Sequence, residues 1–375
     1  MYLENISLKN FRNYSVQTVS FHPDINILFG SNAQGKTNLL EAIYYLCTSR
    51  SFRTNNDQEL IKKGSNFFFI KGSFRRNESN YLVETGYQYP QGVKIKLNSK
   101  EIKRSAFIHQ IPVVIFCPED ILLLKEGPAL RRRFLNLEGS RLNPLYYTNF
   151  KDYFRALQQR NRLLKEHRHG ILDPALLEPW DQELVKLGAA IIRMRIAMLK
   201  DLEQQSFIFF NLLTGALESL SIMYQSSIDY QDHLEHLEDS FRLQLKKNLA
   251  LDQKRGYTSV GPHLDDFSVA INGLDARKFA SQGQQRTAVL ALKMGELALF
   301  KQAGGAEPIV LLDDVFSEFD QRRQQHLFTY LSERDGQSFI TTAVKIKHFE
   351  TGPKKRFNIF TVCKGKIDAG SRLDY

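Results

Sequence analysis

An α/β fold follows from three stretches of this sequence. Ile25–Phe29 is a short apolar run that leads directly into Gly30-Ser31-Asn32-Ala33-Gln34-Gly35 and then into a helix-period pattern. Ile309–Leu312 is a second buried-type run, and it ends at Asp313-Asp314. Between them, residues 144–251 are rich in Leu, Gln, Arg, Lys and Glu, with apolar positions three and four apart. The pattern predicts an α/β head with a strand-rich N-terminal portion and an inserted compact helical lobe.

Taken in order, residues 2–8 and 16–21 read as strands, followed by the strand Ile25–Phe29 and a helix whose buried side is Leu39, Leu40, Ile43, Tyr44, Leu46 and Cys47. Residues 67–70, 81–85 and 93–97 read as short strands with polar turns, Asn98-Ser99-Lys100 being one of them. Val113–Phe116 is a further strand, ending at Cys117-Pro118-Glu119-Asp120. In the middle, Leu177, Trp180, Leu184, Leu187, Ile191, Met194 and Met198 form one continuous helical stripe, and Leu234, Leu237, Phe241 and Leu245 form another. Gly170, Pro174 and Pro179 interrupt the region, which favours a compact lobe or short antiparallel arm over a long coiled coil. Ser338–Thr342 and residues 357–362 are the last strands. The expected division is a head from 1–140 and 252–375 and a lobe from 141–251.

Composition bounds the function. A chain of 375 residues, 42% hydrophobic and 25% charged, is globular and long enough for two lobes. Its formal charge of +10 favours an anionic partner, nucleic acid being the commonest. Cys47, Cys117 and Cys363 stand far apart without a CxxC pair, which argues against a zinc site or a disulfide framework. No run approaches the roughly 20 apolar residues of a membrane span, and no basic-then-apolar leader opens the sequence, so a cytoplasmic protein is expected.

Gly30 to Thr37 matches GxxxxGK[ST] in full, between a strand and a helix. Glycines at 30 and 35 let backbone N–H groups wrap a polyphosphate, with Ser31, Asn32, Ala33 and Gln34 completing the cradle. Lys36 brings a cation to the β/γ oxygens, Thr37 offers a hydroxyl to Mg²⁺, and the helix N-terminus faces the anion. At the carboxyl end of the second buried strand, Asp313 is the candidate for the Mg²⁺ shell and Asp314 for polarising a water. ATP and Mg²⁺ are therefore the expected ligands, with Lys36, Asp313 and Asp314 as the catalytic set. A phosphoryl-transfer kinase would also need an acceptor pocket, and no segment identifies one.

Ser281-Gln282-Gly283-Gln284-Gln285-Arg286 reads on propensity as a polar helix cap. It also resembles the signature motif of the ABC-type ATPases, in the SxGQxR form of the DNA-repair members. Phe11-Arg12-Asn13-Tyr14, Ser49-Arg50-Ser51-Phe52-Arg53, Pro118-Glu119-Asp120, Gly261-Pro262-His263-Leu264-Asp265-Asp266 and the run from Leu311 to Asp320 follow in the order found in the RecF family. That resemblance implies an ABC-type P-loop head in which Ser281, Gly283 and Gln284 of one chain close over ATP held by another, giving an ATP-dependent homodimer with slow hydrolysis. It places Ser317-Glu318-Phe319-Asp320 at the dimer seam. Ala33 stands where many members have glycine, a change that is tolerable if this backbone position needs no positive φ. Thr341-Thr342-Ala343 stands where transport ATPases carry histidine, and His348 lies too far along to replace it. Gln110 is the candidate for the sensor loop.

The resemblance further implies DNA, especially gapped duplexes and single-strand/duplex junctions, the mediators RecR and RecO, and residence at the nucleoid. Candidate phosphate-backbone contacts are Arg50, Arg53, Lys62, Lys63, Arg75, Arg76, Arg131, Arg132 and Arg133, with Lys354-Lys355-Arg356 as a further basic cluster. The alternatives are a structural SMC-like ATPase, which would carry long coils, and a small-molecule phosphoryl-transfer enzyme, which would turn over without self-association.

Overall fold

The computed structural model describes residues 1–229, 234–304, 306–343 and 357–369. The chain forms two compact units, one from Met1–Asp120 and Glu296–Tyr375, the other from Ile121–Gly295. These boundaries lie about twenty residues before and forty residues after those expected from composition.

The first unit opens with β1 (Tyr2–Phe11), β2 (Tyr14–Ser20) and β3 (Ile25–Phe29), then α1 (Lys36–Thr48). It continues with β4 (Phe67–Arg76), β5 (Ser79–Gln88), β6 (Gly92–Leu97), β7 (Lys100–Glu101), α2 (Arg104–Phe107) and β8 (Val113–Phe116). The second unit holds α3 (Leu122–Lys125), α4 (Pro128–Leu142), α5 (Pro144–Glu166), α6 (Glu178–Thr214), β9 (Leu220–Gln225) and α7 (Leu237–Arg255). It adds β10 (Asp266–Ile271), β11 (Leu274–Asp275), α8 (Ala276–Phe279) and most of α9 (Gln282–Gln302). The chain then returns to the first unit with β12 (Ile309–Leu312), α10 (Gln321–Glu333), β13 (Ser338–Thr342), β14 (Phe357–Cys363) and β15 (Lys366–Ala369).

Two six-stranded sheets build the first unit. One is antiparallel, in the order β2-β1-β4-β5-β6-β7. Its strands alternate, so that Phe68, Ile70 and Phe74 of β4 turn inward while Phe69, Lys71 and Arg75 turn outward. The other has the order β15-β14-β3-β13-β12-β8 and is parallel except for β15. Its strands β12 and β13 and the edge strand β8 are buried at every residue, as expected of a parallel sheet covered on both faces. The core joins α1 to both sheets, through Leu39, Leu40 and Ile43 with Ile6, Phe68, Leu28 and Leu311. Consequently α1 is not amphipathic: eleven of its thirteen residues are buried, Glu41 and Lys36 among them.

The second unit packs α5, α6 and α7 through Tyr153, Leu184, Ile191, Ile192, Phe241 and Leu245. Both helical stripes read from the sequence contribute to this core, and α6 is one uninterrupted 37-residue helix. The small sheet β11-β10-β9 brings a strand, Leu220–Gln225, into the region expected to be helical throughout. Two fully buried arginines tie the unit together. Arg160 bonds Asp181, Asp252 and Thr258, while Arg195 bonds Tyr146, Asn136 and the Pro262 carbonyl. Among the described residues, no helix is long and apolar enough to cross a membrane.

Candidate phosphate site

Strand β3 ends at Phe29, and Gly30 begins the loop under the edge of β14. A β-carbon on Gly30 would meet the Val362 carbonyl oxygen at 2.4 Å, so only glycine permits that approach. Gly35 has φ +120°, and α1 starts immediately after it with no side-chain cap and no acid in its first turn. The helix N-terminus thus keeps its N–H groups and positive dipole end for an anion. Ala33 has φ +63°. The condition under which alanine is tolerated without strain is therefore not met, and its β-carbon sits in the left-handed region.

Lys36 folds back over the loop, its Nζ donating to the carbonyls of Gly30 at 2.7 Å and Ser31 at 2.9 Å. Burial lowers its pKa, and the nearby charges of Asp314 and Asp313 pull it back up. Thr37 Oγ1 donates to Asp313 Oδ1 at 2.9 Å, joining the phosphate loop to the end of β12 across 276 residues of sequence. Parallel pairing of β8 with β12 brings Glu119 to the same end, and the cleft of about 490 Å³ is lined by Asn32, Ala33, Gly35–Asn38, Phe52, Arg53, Pro118, Glu119, Asp313, Asp314 and Thr341. That volume suits a ligand of nucleotide size.

The sequence marks Thr341 only as standing where transport ATPases carry histidine, yet it organises the acidic corner. Its hydroxyl donates to Asp313 Oδ1 at 2.8 Å and accepts the Asp314 N–H at 2.8 Å. Asp314 itself sits at φ +52°. Burial raises the Asp313 pKa; the Thr341 and Thr37 hydrogen bonds oppose this, and the Glu119 and Asp314 charges add to it. Gln110 lies before the amino end of β8, opposite the carboxyl ends that carry the cleft, and is not a lining residue. Glu119 is the polar residue that the β8 segment supplies instead. A pair of Thr37 and Asp313 oxygens fits a hard, oxygen-seeking dication that completes its shell with phosphate and water; among the described residues no group of three His, Cys, Asp or Glu could hold a metal unaided.

Two turns brace the loop from behind. Between β1 and β2, Asn13 Nδ2 donates to the Gln34 carbonyl at 3.1 Å and Tyr14 OH to the Gly35 carbonyl at 2.9 Å. Between β14 and β15, the N–H groups of Lys364 and Gly365 donate to Gln34 Oε1 and Gln34 O at 2.8 and 3.0 Å. Glu41, fully buried on α1, accepts a bidentate pair from Arg12 at 2.8 Å and a bond from the Ser51 hydroxyl at 2.6 Å. The sequence segments around Arg12 and Ser51 therefore meet at one carboxylate beneath the site.

The basic candidates fall into distinct places. Arg53 lines the cleft, bonded to Asn38 and Glu41. Lys62 donates to the Asn13 carbonyl at 2.9 Å and so belongs to the bracing turn. Arg50, Lys63, Arg75 and Arg76 are exposed, Arg75 pairing with Glu4 at 2.9 Å. Arg131 is no DNA contact. It is buried, bidentate to Asp266 at 2.8 Å, and spends its remaining donor on the Leu123 and Glu126 carbonyls. Successive residues on a helix point about 100° apart, so Arg132 is half-buried against the Leu264 carbonyl and only Arg133 is fully outward. Lys354-Lys355-Arg356 and His348 lie outside the described residues.

Ser281, in the second unit, caps α9 in a reciprocal box: Gln284 N–H donates to its hydroxyl at 3.2 Å, and its own N–H donates to Gln284 Oε1 at 2.8 Å. Gln285 is buried and bonds the Ala276 carbonyl. Gly283 is exposed, its φ is not in the positive range, and an added β-carbon would meet nothing nearer than the Ser281 hydroxyl at 4.0 Å. Nothing among the described residues requires glycine at 283.

Residues 2–368 match the family model of the RecF/RecN/SMC N-terminal domain. A curated DNA replication and repair protein RecF of Natranaerobius thermophilus is 39% identical over 99% of this chain and all of its own length. A solved structure described as the recombination mediator protein RecF-ATP in the RecFOR pathway superposes with a TM-score of 0.89 at 36% identity, over 99% of this chain and 98% of that one. An Smc head domain from Pyrococcus furiosus shares the fold at 13% identity, with a TM-score of 0.57 over 99% of this chain and 96% of that one.

Proposed function

This chain belongs to the RecF family of SMC-like ATPases, and from that premise we propose that it is an ATP-dependent DNA-binding protein of recombinational repair whose nucleotide clamps two copies together. The observation that carries this reading is the Thr37–Asp313 bond, which places a complete phosphate loop and an acidic strand end around one cleft.

In this reading the triphosphate displaces the two loop carbonyls from Lys36, whose ammonium then turns to the β/γ oxygens. Thr37 and Asp313 would hold Mg²⁺, which would neutralise phosphate charge there. Asp314, fixed by the Thr341 hydroxyl, orients water for slow hydrolysis. Ser281 and Gly283 of a second chain approach the γ-phosphate, and the open space at Gly283 allows that approach. ATP binding the closed pair better than the separate chains must shift the equilibrium toward the pair. Exposed arginines and lysines then face duplex phosphates at a gap or junction, and hydrolysis releases them. RecR and RecO are the expected mediators, because the RecF-ATP relative is described within the RecFOR pathway. The nucleoid is the corresponding location.

Filter retention of a gapped duplex, with and without a non-hydrolysable ATP analogue, tests the reading. Wild-type protein should retain DNA with the analogue and lose it as salt rises. Lys36→Ala should abolish nucleotide stimulation, and Asp313→Ala should remove magnesium-dependent turnover. Equal retention by folded Lys36→Ala protein, with or without nucleotide, contradicts it.

A further inference from the structure

Helix α7 buries one side and leaves the other in water. Its buried residues are Leu237, Phe241, Leu245 and Asp252, which pack against α5 and α6. At about 100° per residue, Leu243, Lys247, Ala250 and Lys254 fall within a strip of about 60° on the opposite side. All four are exposed, Leu243 to 67%. Lys246 and the exposed Leu251 flank the strip.

The charge on this side has one sign. From Arg242 to Arg255 the helix carries five cations and one carboxylate, Asp252, which is buried and bound by Arg160 at 2.8 Å. Glu238 and Asp239, in the first turn, pair with Arg193 and Arg242, each at 3.1 Å. Other helices of the unit neutralise their cations locally: Arg141 with Glu138, Arg155 with Asp152, Arg162 with Glu166. Beyond Arg242, α7 does not. Among the described residues no carboxylate lies within 4 Å of Lys246, Lys247, Lys254 or Arg255, and the exposed Glu178 and Glu183 of α6 pair with none of them. At the carboxyl end, Lys165 of α5 passes beside Gly256, and Arg168 donates to the Lys254 carbonyl at 2.8 Å, so two further cations gather there. A solvated helix face has no need of a leucine in line with its lysines. Phosphate backbones take the cations alone and leave Leu243 and Leu251 in water. A second amphipathic helix satisfies both, covering the leucines with its apolar side and meeting the lysines with carboxylates, as paired helices do at their seams. Ala250, small and central, lets such a helix approach to about 8–10 Å between axes.

We propose that the outward face of α7 docks an acidic amphipathic helix of a partner protein, with Leu243, Ala250 and Leu251 under its apolar side and Lys246, Lys247 and Lys254 against its carboxylates. The site lies within the second unit and requires neither nucleotide nor DNA, so it goes beyond the function proposed above and does not depend on it.

Fluorescence anisotropy on the intact protein, with no nucleotide added, tests the site. The probe is a labelled synthetic peptide of roughly 20 residues with leucines on one helical face and glutamates elsewhere. A peptide of the same composition in scrambled order is the control. The patterned peptide should bind at least about tenfold tighter than the scrambled one, because only the pattern presents both groups from one face. Leu243→Ser should weaken it about fivefold and keep its salt dependence. Lys247→Glu combined with Lys254→Glu should weaken it about tenfold or more, and a peptide with the facing glutamates exchanged for lysines should regain binding to that variant. All three positions are exposed, and thermal melts of each variant should match wild type. Equal affinity for the patterned and scrambled peptides overturns the proposal, and so does patterned binding that survives both variants. A face that serves an anionic surface instead would bind a short duplex or phosphatidylglycerol vesicles and lose them in both variants, with the patterned peptide indifferent to either change; that result also overturns it. Lys36→Ala should keep peptide binding while losing nucleotide-driven association, so either reading can fail without the other.

Discussion

Ala33 carries a β-carbon in the left-handed region, at φ +63°. That conformation costs an L-residue about 1–2 kcal/mol, and glycine avoids it at the expense of some unfolded-state entropy. Ala33→Gly should therefore raise stability modestly, by up to about 1 kcal/mol as read from a higher denaturant midpoint, and leave ATP affinity intact. A drop in midpoint would show that the loop is not strained there. Thr341 offers a sharper case. Its hydroxyl serves Asp313 and the Asp314 N–H at once, so Thr341→Val strands a donor and an acceptor in a closed corner, at about 1–3 kcal/mol. The bond also favours ionised Asp313, and its loss should raise that pKa further. ATP turnover should fall more than ATP affinity, with the acid limb of its pH profile displaced upward. Neither effect was legible in the sequence. The phosphate-loop pattern names residue types and not their φ values, and Thr341 acquires its role only because β13 lies beside β12.

At the scale of elements, β3, β8, β12 and β13 coincide with the strands read from the sequence, because a short apolar run bounded by turn residues has few other ways to be buried. The strand Leu220–Gln225 went unread: its alternation is brief, Met223 faces outward, and only pairing with β10 settles it as a strand. Helix α1 was read as one-sided, since nothing local announces that Glu41 is covered. Its partners Arg12 and Ser51 arrive from other elements. The segment between α7 and β10 carries a further consequence. His263 Nδ1 lies 2.8 Å from the Tyr153 hydroxyl, and Nε2 lies 3.1 Å from the Thr258 carbonyl, which fits a neutral ring donating through Nε2. Burial, with the positive charges of Arg132 and Arg195, lowers its pKa from 6.5 to about 4, against the Thr258 bond and the Asp252 charge. The unfolded chain therefore binds the extra proton first as pH falls. Stability should be intact above about pH 6.5 and decline between there and about pH 4, by about 3 kcal/mol in all. Urea midpoints at pH 7 and pH 5 check this: the wild-type decrease should shrink in His263→Gln, and an equal decrease in both would remove His263 as its source.

For the whole molecule, the phosphate loop and the acidic strand end were legible because their chemistry demands fixed residue types at fixed spacing. Which cations are available for DNA was not. Three consecutive arginines on α4 are divided by helical geometry into a buried, a half-buried and an outward residue, and Arg53 and Lys62 are drawn into the site and its brace. Gly283 points the other way, being a glycine that the described residues of its own chain leave unexplained and that the proposed second copy would explain. The most direct measurement is sedimentation velocity at several salt concentrations, on protein with a gapped duplex, comparing no nucleotide, ADP and a non-hydrolysable ATP analogue. A two-copy complex should appear on the DNA with the analogue alone, and Ser281→Arg should bind the analogue yet stay single. One copy under every condition, or an unchanged pair in Ser281→Arg, would contradict the account.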